Sequence, residues 1–242
     1  MPQRPVPFGY SHEIGITVWM MPTAGVGGTM SQSTENLVHI PAKDVELEGD
    51  LNVPDGATGL VVFAHGSGSS RKSPRNNFVA EVIRDRGLGT LLFDLLTEEE
   101  DQSRENRFDI PLLTERLVAV TEWLWTRDAT RDLNVGYFGS STGAASALRA
   151  ATRLEDEVDA VVSRGGRVDM ASEVLDEITM PTLFIVGGAD TQVLELNREA
   201  YDQISCEKDL HVVKGAGHLF EGDGELEEVA DVAADWFARA LQ

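Results

Sequence analysis

The sequence predicts an α/β protein built on a mostly parallel sheet with helices on both faces, and three features of the pattern point there. Short apolar runs bounded by glycine or proline alternate with stretches of helical periodicity from Asn36 to the C-terminus. The run Leu60 to Ala64 is apolar at every position, as a strand buried on both faces must be. Only the first two runs, Leu37 to Ile40 and Val45 to Val53, follow each other without a helix, which marks them as an antiparallel edge.

The later elements follow in order. Ser73 before Pro74 pairs an N-cap residue with proline at the first helical position, and Phe78, Val79, Val82 and Ile83 give that helix one apolar face. Thr90 to Leu96 reads as the next strand. Leu113, Leu117, Val120 and Leu124 form a single stripe at helical spacing, so a helix covers this segment. Val135 to Phe138 is strand and the Ala-rich stretch Gly143 to Leu154 is helix. Asp159 to Ser163, Thr182 to Val186 and Leu210 to Val213 are further strands, with helices at Glu195 to Ile204 and Leu226 to Leu241. The acidic run Glu98 to Asp101 reads as a solvated loop.

A chain of 242 residues suits one α/β domain with a sizeable core, placed at residues 36–242. Residues 1–35 are rich in proline and glycine and lack a sustained period, so they read as a loosely attached extension, with Met30 as an alternative start. Asp and Glu number 41 against 20 Lys and Arg, a formal charge of −21 that repels nucleic-acid phosphates and anionic membrane surfaces. Neither is expected as a partner. Lysine occurs only at Lys43, Lys72, Lys208 and Lys214, so the acidity reads either as a solubility device or as adaptation to a salt-rich cytoplasm. The single cysteine, Cys206, excludes an intramolecular disulfide and a Cys-only metal site. The apolar stretch Ile14 to Gly28 is preceded by Glu13 and broken by Pro22, and no run approaches the roughly 18 apolar residues of a membrane span. A cytoplasmic location is expected.

Chemistry concentrates in three places. Gly139-Ser140-Ser141-Thr142-Gly143 fits GxSxG between a strand and a helix. A serine on so sharp a turn adopts a strained backbone, and the residues two before and two after it must be small. Ser141 alone has glycine at both positions; a serine-capped turn without chemistry is the competing reading. A serine hydroxyl needs an imidazole to take its proton and a carboxylate to orient the imidazole. Asp190 follows the strand ending at Val186, and His218 follows the strand ending at Val213, both at the carboxyl edge where sites in such sheets assemble. Asp190 also fits an N-cap position, and Asp94 or Asp169 are alternative acids. Of the five histidines, His12 lies in the extension, His39 and His211 fall in strands, and His65 precedes a glycine turn; His218 alone sits in a glycine-lined loop after the last strand. No HExxH or CxxC supports a metal site.

The third place is His65-Gly66-Ser67-Gly68-Ser69-Ser70 after the central strand, where a backbone N–H can face a developing oxyanion. Ser67 is expected to supply one N–H and Thr142 the other. An anion-binding nest is the alternative, although the loop lacks the GK[ST] ending of a nucleotide-binding P-loop.

These three motifs in order resemble the α/β-hydrolase superfamily over Asn36 to Gln242, and within it the small branch similar to dienelactone hydrolases. The resemblance implies an eight-stranded, mostly parallel sheet, and hydrolysis of a small-molecule carboxylic ester or lactone through an acyl-enzyme, without a cofactor. Dienelactone hydrolases proper carry cysteine at the nucleophile position, whereas this chain has Ser141. The segment between Gly166 and Met180 is too short for the helical cap of many relatives, so no substantial lid is expected. Arg71, Lys72 and Arg75 follow the oxyanion loop and Arg164 and Arg167 follow another strand. Arg71, Arg75 and Arg164 are the candidates for the substrate mouth; the alternative is that these cations pair with the Glu98 to Asp101 loop or with Asp169. Other functions compatible with the same residues are cleavage of an amide, peptide or thioester, or a non-catalytic binding domain that keeps the fold.

Overall fold

The structure is a computed structural model that describes residues 37–242. The expected extension at residues 1–35, with His12 and Met30, lies outside the described residues. The elements run β1 (Leu37–Ala42), β2 (Val45–Asn52), β3 (Gly59–Ala64), α1 (Pro74–Asp85), β4 (Gly89–Phe93), α2 (Arg104–Arg107), α3 (Ile110–Trp125), β5 (Asn134–Ser140), α4 (Thr142–Leu154), β6 (Ala160–Arg164), β7 (Thr182–Gly187), α5 (Thr191–Gln203), β8 (Lys208–Val213) and α6 (Glu225–Ala240). They build one eight-stranded sheet in the order β1-β2-β4-β3-β5-β6-β7-β8. β1 pairs antiparallel with β2 and β2 antiparallel with β4, and every later pair is parallel. The antiparallel edge therefore lies where the missing helix placed it.

Strand alternation sends side chains to two cores. Leu60, Val62, Val135, Tyr137 and Val161 face α3, α4 and α5 on one side; Val61, Phe63, Phe138, Ala160 and Val162 face α1 and α6 on the other. β3 to β7 are almost wholly buried, which explains their apolar runs without polar breaks. α1 starts as the Ser73-Pro74 pair requires, with the Ser73 side chain accepting from the Asn76 N–H. Asp109 caps α3 in the same way, through the Leu112 N–H. Between β6 and β7 the chain forms only short 3-10 turns over Val168–Glu177, so no cap domain covers the carboxyl edge there.

The strand expected to run to Leu96 ends at Phe93, and α5 starts earlier than its apolar stripe. α5 begins at Thr191, four residues before Glu195, because its first turn carries Thr and Gln on a polar end that interrupts the apolar stripe. The acidic run Glu98 to Asp101 is more than a solvated loop. The Glu100 carboxylate accepts from the buried Arg116 at 2.8 Å and from the Thr97 N–H at 2.9 Å, and Asp101 holds Arg107 through two bonds of 2.9 and 3.0 Å. Two of its charges thus pin α3 and the end of α2, which precedes Phe108 at the candidate site. No helix among the described residues is long and apolar enough to cross a membrane.

Candidate active site

β5 delivers Ser141 into a backbone conformation of φ 51°, ψ −119°, in the left-handed half of conformational space. A serine at the head of a helix usually turns its hydroxyl back to cap the first N–H groups, as Ser73 does for α1. Ser141 makes no such cap bond, so its hydroxyl is not used by the helix it opens. The turn holds because the glycines admit backbone where a side chain would stand. A Cβ on Gly139 would lie 2.4 Å from the Cα of Ala144, and one on Gly143 would lie 2.1 Å from the carbonyl oxygen of Ala64. The two glycines therefore serve different contacts: Gly139 takes the start of α4, and Gly143 lets α4 press against the end of β3. The Ser141 N–H donates to the Arg164 carbonyl at 3.1 Å, and the Ser141 carbonyl accepts from the Arg167 N–H at 3.0 Å, so β6 and its following turn brace the serine from the side.

Asp190 stands at the N-cap position of α5, yet its side chain makes no cap bond. It accepts instead from His218 Nδ1 at 2.7 Å. The competing acids are engaged elsewhere: Asp94 accepts from the backbone N–H and the guanidinium of Arg71, and Asp169 holds Arg167 through two bonds of 2.8 Å. That pairing with Arg167 keeps the Asp169 carboxyl below the usual carboxylate range. The loops carrying Asp190 and His218 are packed together, since a Cβ on Gly187 would fall 2.4 Å from the Ala216 carbonyl oxygen. Gly165, at φ 53°, leaves room beside the imidazole, whose Cε1 lies 3.3 Å from the position a Cβ would take.

Ser141, His218, Asp190, Ser67 and Thr142 line one open cavity of about 420 Å³ at the carboxyl edge of the sheet. The chain crosses from β3 into this cavity through His65, which is 8% exposed. The Leu95 N–H donates to His65 Nε2 at 3.1 Å, so Nδ1 carries the proton and donates to the Gly66 carbonyl at 3.0 Å. Burial lowers the pKa of this imidazole, which keeps it neutral. His65 thereby ties the loop after β3 to the end of β4 and sets where Ser67 stands. Among the described residues no group of three or more His, Cys, Asp or Glu side chains is arranged to hold a metal ion.

The family model described as the dienelactone hydrolase family matches residues 53–242. The chain belongs to the dienelactone hydrolase family. Among solved structures, the chain is similar to a dienelactone hydrolase from Anabaena variabilis, with 50% identity, a TM-score of 0.84, and coverage of 85% of this chain and 97% of that one. Est1E from Butyrivibrio proteoclasticus shares the fold at 16% identity, with a TM-score of 0.73 and coverage of 85% and 98%. An alpha-beta serine hydrolase homologue from Coxiella burnetii does so at 21% identity, with a TM-score of 0.70 and coverage of 82% and 95%. Two curated proteins from strains of Mycobacterium tuberculosis, each named "Putative phosphoribosyl transferase", are 56% identical over 200 residues, which is 83% of this chain. The chain spans only 45% of their length.

The cations expected at the substrate mouth stand elsewhere. Arg71 is held by Asp94, Glu48 and Asp50, and it borders a neighbouring cavity on the β2 and β4 side. Arg75 pairs with Glu221 at 2.6 Å. Arg164 has the strand parity of Ala160 and Val162, so its guanidinium goes to the α1 and α6 side and stacks over Phe220, 5.7 Å from the ring centroid. Burial, with Arg75 nearby, pulls the Arg164 pKa down to about 10, so it stays charged at neutral pH. The alternative pairing with Asp169 forms at Arg167, whereas the Glu98 to Asp101 loop is taken by Arg107 and Arg116. The cation that does reach the cavity is Arg167, together with Phe108, Gln192, Val193 and Leu196. Phe108 is 40% exposed, an unusual state for a phenylalanine, and it sits in the α2 to α3 turn where no periodicity signals it.

Proposed function

We propose that this hydrolase cleaves a small carboxylic ester or lactone through an acyl-enzyme on Ser141, with His218 as general base and Asp190 as its orienting acid. The observation that carries this reading is the 2.7 Å bond from His218 to an Asp190 that declines its capping role, in the same cavity as a serine that declines its own. His218 Nε2 takes the Ser141 proton as Oγ bonds to the substrate carbonyl carbon. The carbonyl electron pair moves onto oxygen, and its negative charge is met by donors where the Ser67 loop adjoins Thr142. Collapse of that intermediate expels the alkoxide, which takes the proton from His218; water then repeats the sequence to free the acid.

The cavity's mixed lining supports a small substrate with an apolar part against Phe108, Val193 and Leu196. We further propose a cytoplasmic protein in which residues 36–242 form the catalytic domain. The mycobacterial name describes proteins more than twice as long as the matched part, and it adds no chemistry to this site. The test is turnover of a panel of p-nitrophenyl esters of increasing chain length by wild type, Ser141→Ala and His218→Ala. Wild-type turnover that both substitutions abolish supports the reading; turnover that survives either substitution refutes it.

A further inference from the structure

The Ser67 N–H, expected to face the oxyanion, is already committed: it donates to Thr142 Oγ1 at 2.9 Å. A hydroxyl that accepts a hydrogen bond still has its own proton to give. Elsewhere in this protein, helical threonines give that proton to the carbonyl four residues back, as Thr114 does to Ile110, Thr121 to Leu117 and Thr152 to Leu148. Thr142 is denied that outlet. It is the first residue of α4, and the residue four back, Phe138, belongs to β5. Its hydroxyl makes the Ser67 bond as acceptor, and the residue lines the cavity shared by Ser141 and His218, although it is only 3% exposed.

Resting on the acyl-enzyme reading above, we propose that the Thr142 hydroxyl is itself an oxyanion donor, standing between the Ser67 N–H and the substrate oxygen. When Ser141 Oγ bonds to the carbonyl carbon, the new oxyanion accepts from Thr142 Oγ1–H and from the Thr142 backbone N–H, one of the unpaired donors at the head of α4. No proton leaves Thr142. The N–H of Ser67 acts one bond removed: by donating into Oγ1 it polarises the hydroxyl and makes it a stronger donor. The His65 clamp on Gly66 holds Ser67, and so the whole relay, at fixed distance from the serine.

Thr142→Val removes the hydroxyl at nearly constant shape, and Thr142→Ser restores it. With a p-nitrophenyl ester, kcat per site titrated by a fluorophosphonate should fall about 10- to 100-fold in Thr142→Val with KM changed less than about twofold, and return to within a few fold in Thr142→Ser. Affinity for a trifluoromethyl ketone, which forms the oxyanion, should fall by the same factor as kcat/KM. Thr142→Ala gives the same readout if the valine variant does not fold. Wild-type kcat in Thr142→Val would overturn the proposal, and so would a rise in kcat, since that would mean the hydroxyl only blocks Ser67. A wild type that fails to react at Ser141 would instead remove the underlying triad reading, so the two failures are distinguishable.

Discussion

Replacing His65 by leucine removes the clamp between β4 and the loop that carries Ser67, and the loss can be sized from its two bonds. The Leu95 N–H, which donates to Nε2 at 3.1 Å, is left buried without a partner, at about 1–3 kcal/mol. The Gly66 carbonyl keeps the Ser69 N–H at 3.1 Å, so losing Nδ1–H removes only about 1 kcal/mol there. Together these give about 2–4 kcal/mol, or a fall in Tm of roughly 5–15 °C for a domain of this size. Glutamine offers one acceptor and one donor and should recover a large part of that. The clamp also has a pH signature. Because burial lowers the folded-state pKa of His65 below its unfolded value, the unfolded chain binds the extra proton as pH drops below about 6.5. The contribution of His65 is therefore full above that pH and is lost progressively toward the folded pKa, and His65→Gln should flatten this part of the stability profile. Thermal unfolding followed by circular dichroism from pH 5 to 8 measures both effects. A His65→Leu protein melting within about 2 °C of wild type, or a glutamine variant with an unchanged acid limb, would refute the reasoning.

Three further outcomes follow from the same geometry. Asp190→Asn keeps the volume of the acid but loses its charge, and should lower kcat by about 10⁴-fold with little change in Tm; steady-state kinetics beside a melt would show it, and a loss below tenfold would remove Asp190 from the machinery. Gly143→Ala drives a Cβ to 2.1 Å from the Ala64 carbonyl and should destabilise by more than the roughly 1–2 kcal/mol expected for Gly68→Ala, whose Cβ meets open space at φ 74°; urea titrations of the two variants should rank them in that order. If the charge of −21 is a high-salt adaptation, Tm should climb from 10 mM to 1 M KCl as the screening length shrinks from about 30 to about 3 Å, and a flat or falling Tm counts against it.

The sheet was legible because β3, β5, β6 and β7 are buried on both faces, and a strand with no solvent side has no room for polar residues. The positions of Ser141, Asp190 and His218 were legible for a related reason: each follows directly from a strand's carboxyl end, so locating the strand locates the residue. The cations were not, since the relevant facts are side-chain directions. Arg164 follows the parity of β6 away from the cavity, whereas Arg167 lies beyond the positive-φ turn at Gly165, which resets that parity. Phe108 is carried to the cavity by α3, whose docking depends on Arg116 reaching Glu100 and the Ala42 carbonyl across many residues of chain. Such a contact has no local pattern. The Ser67 to Thr142 bond is equally silent, for it joins residues 75 apart through a hydroxyl that any N-terminal threonine could offer to solvent.

The central claim is that the glycine-framed serine of the turn after β5 is the nucleophile, and two adjacent serines make it sharply testable. Ser140 is 2% exposed, with its hydroxyl directed to Asn76 at 3.4 Å, while Ser141 opens onto the cavity. Reaction of the protein with a fluorophosphonate, followed by peptide mass spectrometry, reads out which oxygen is phosphonylated. The adduct should sit on Ser141, persist in Ser140→Ala and vanish in Ser141→Ala. An adduct on Ser140, or labelling that survives in Ser141→Ala, would contradict the account.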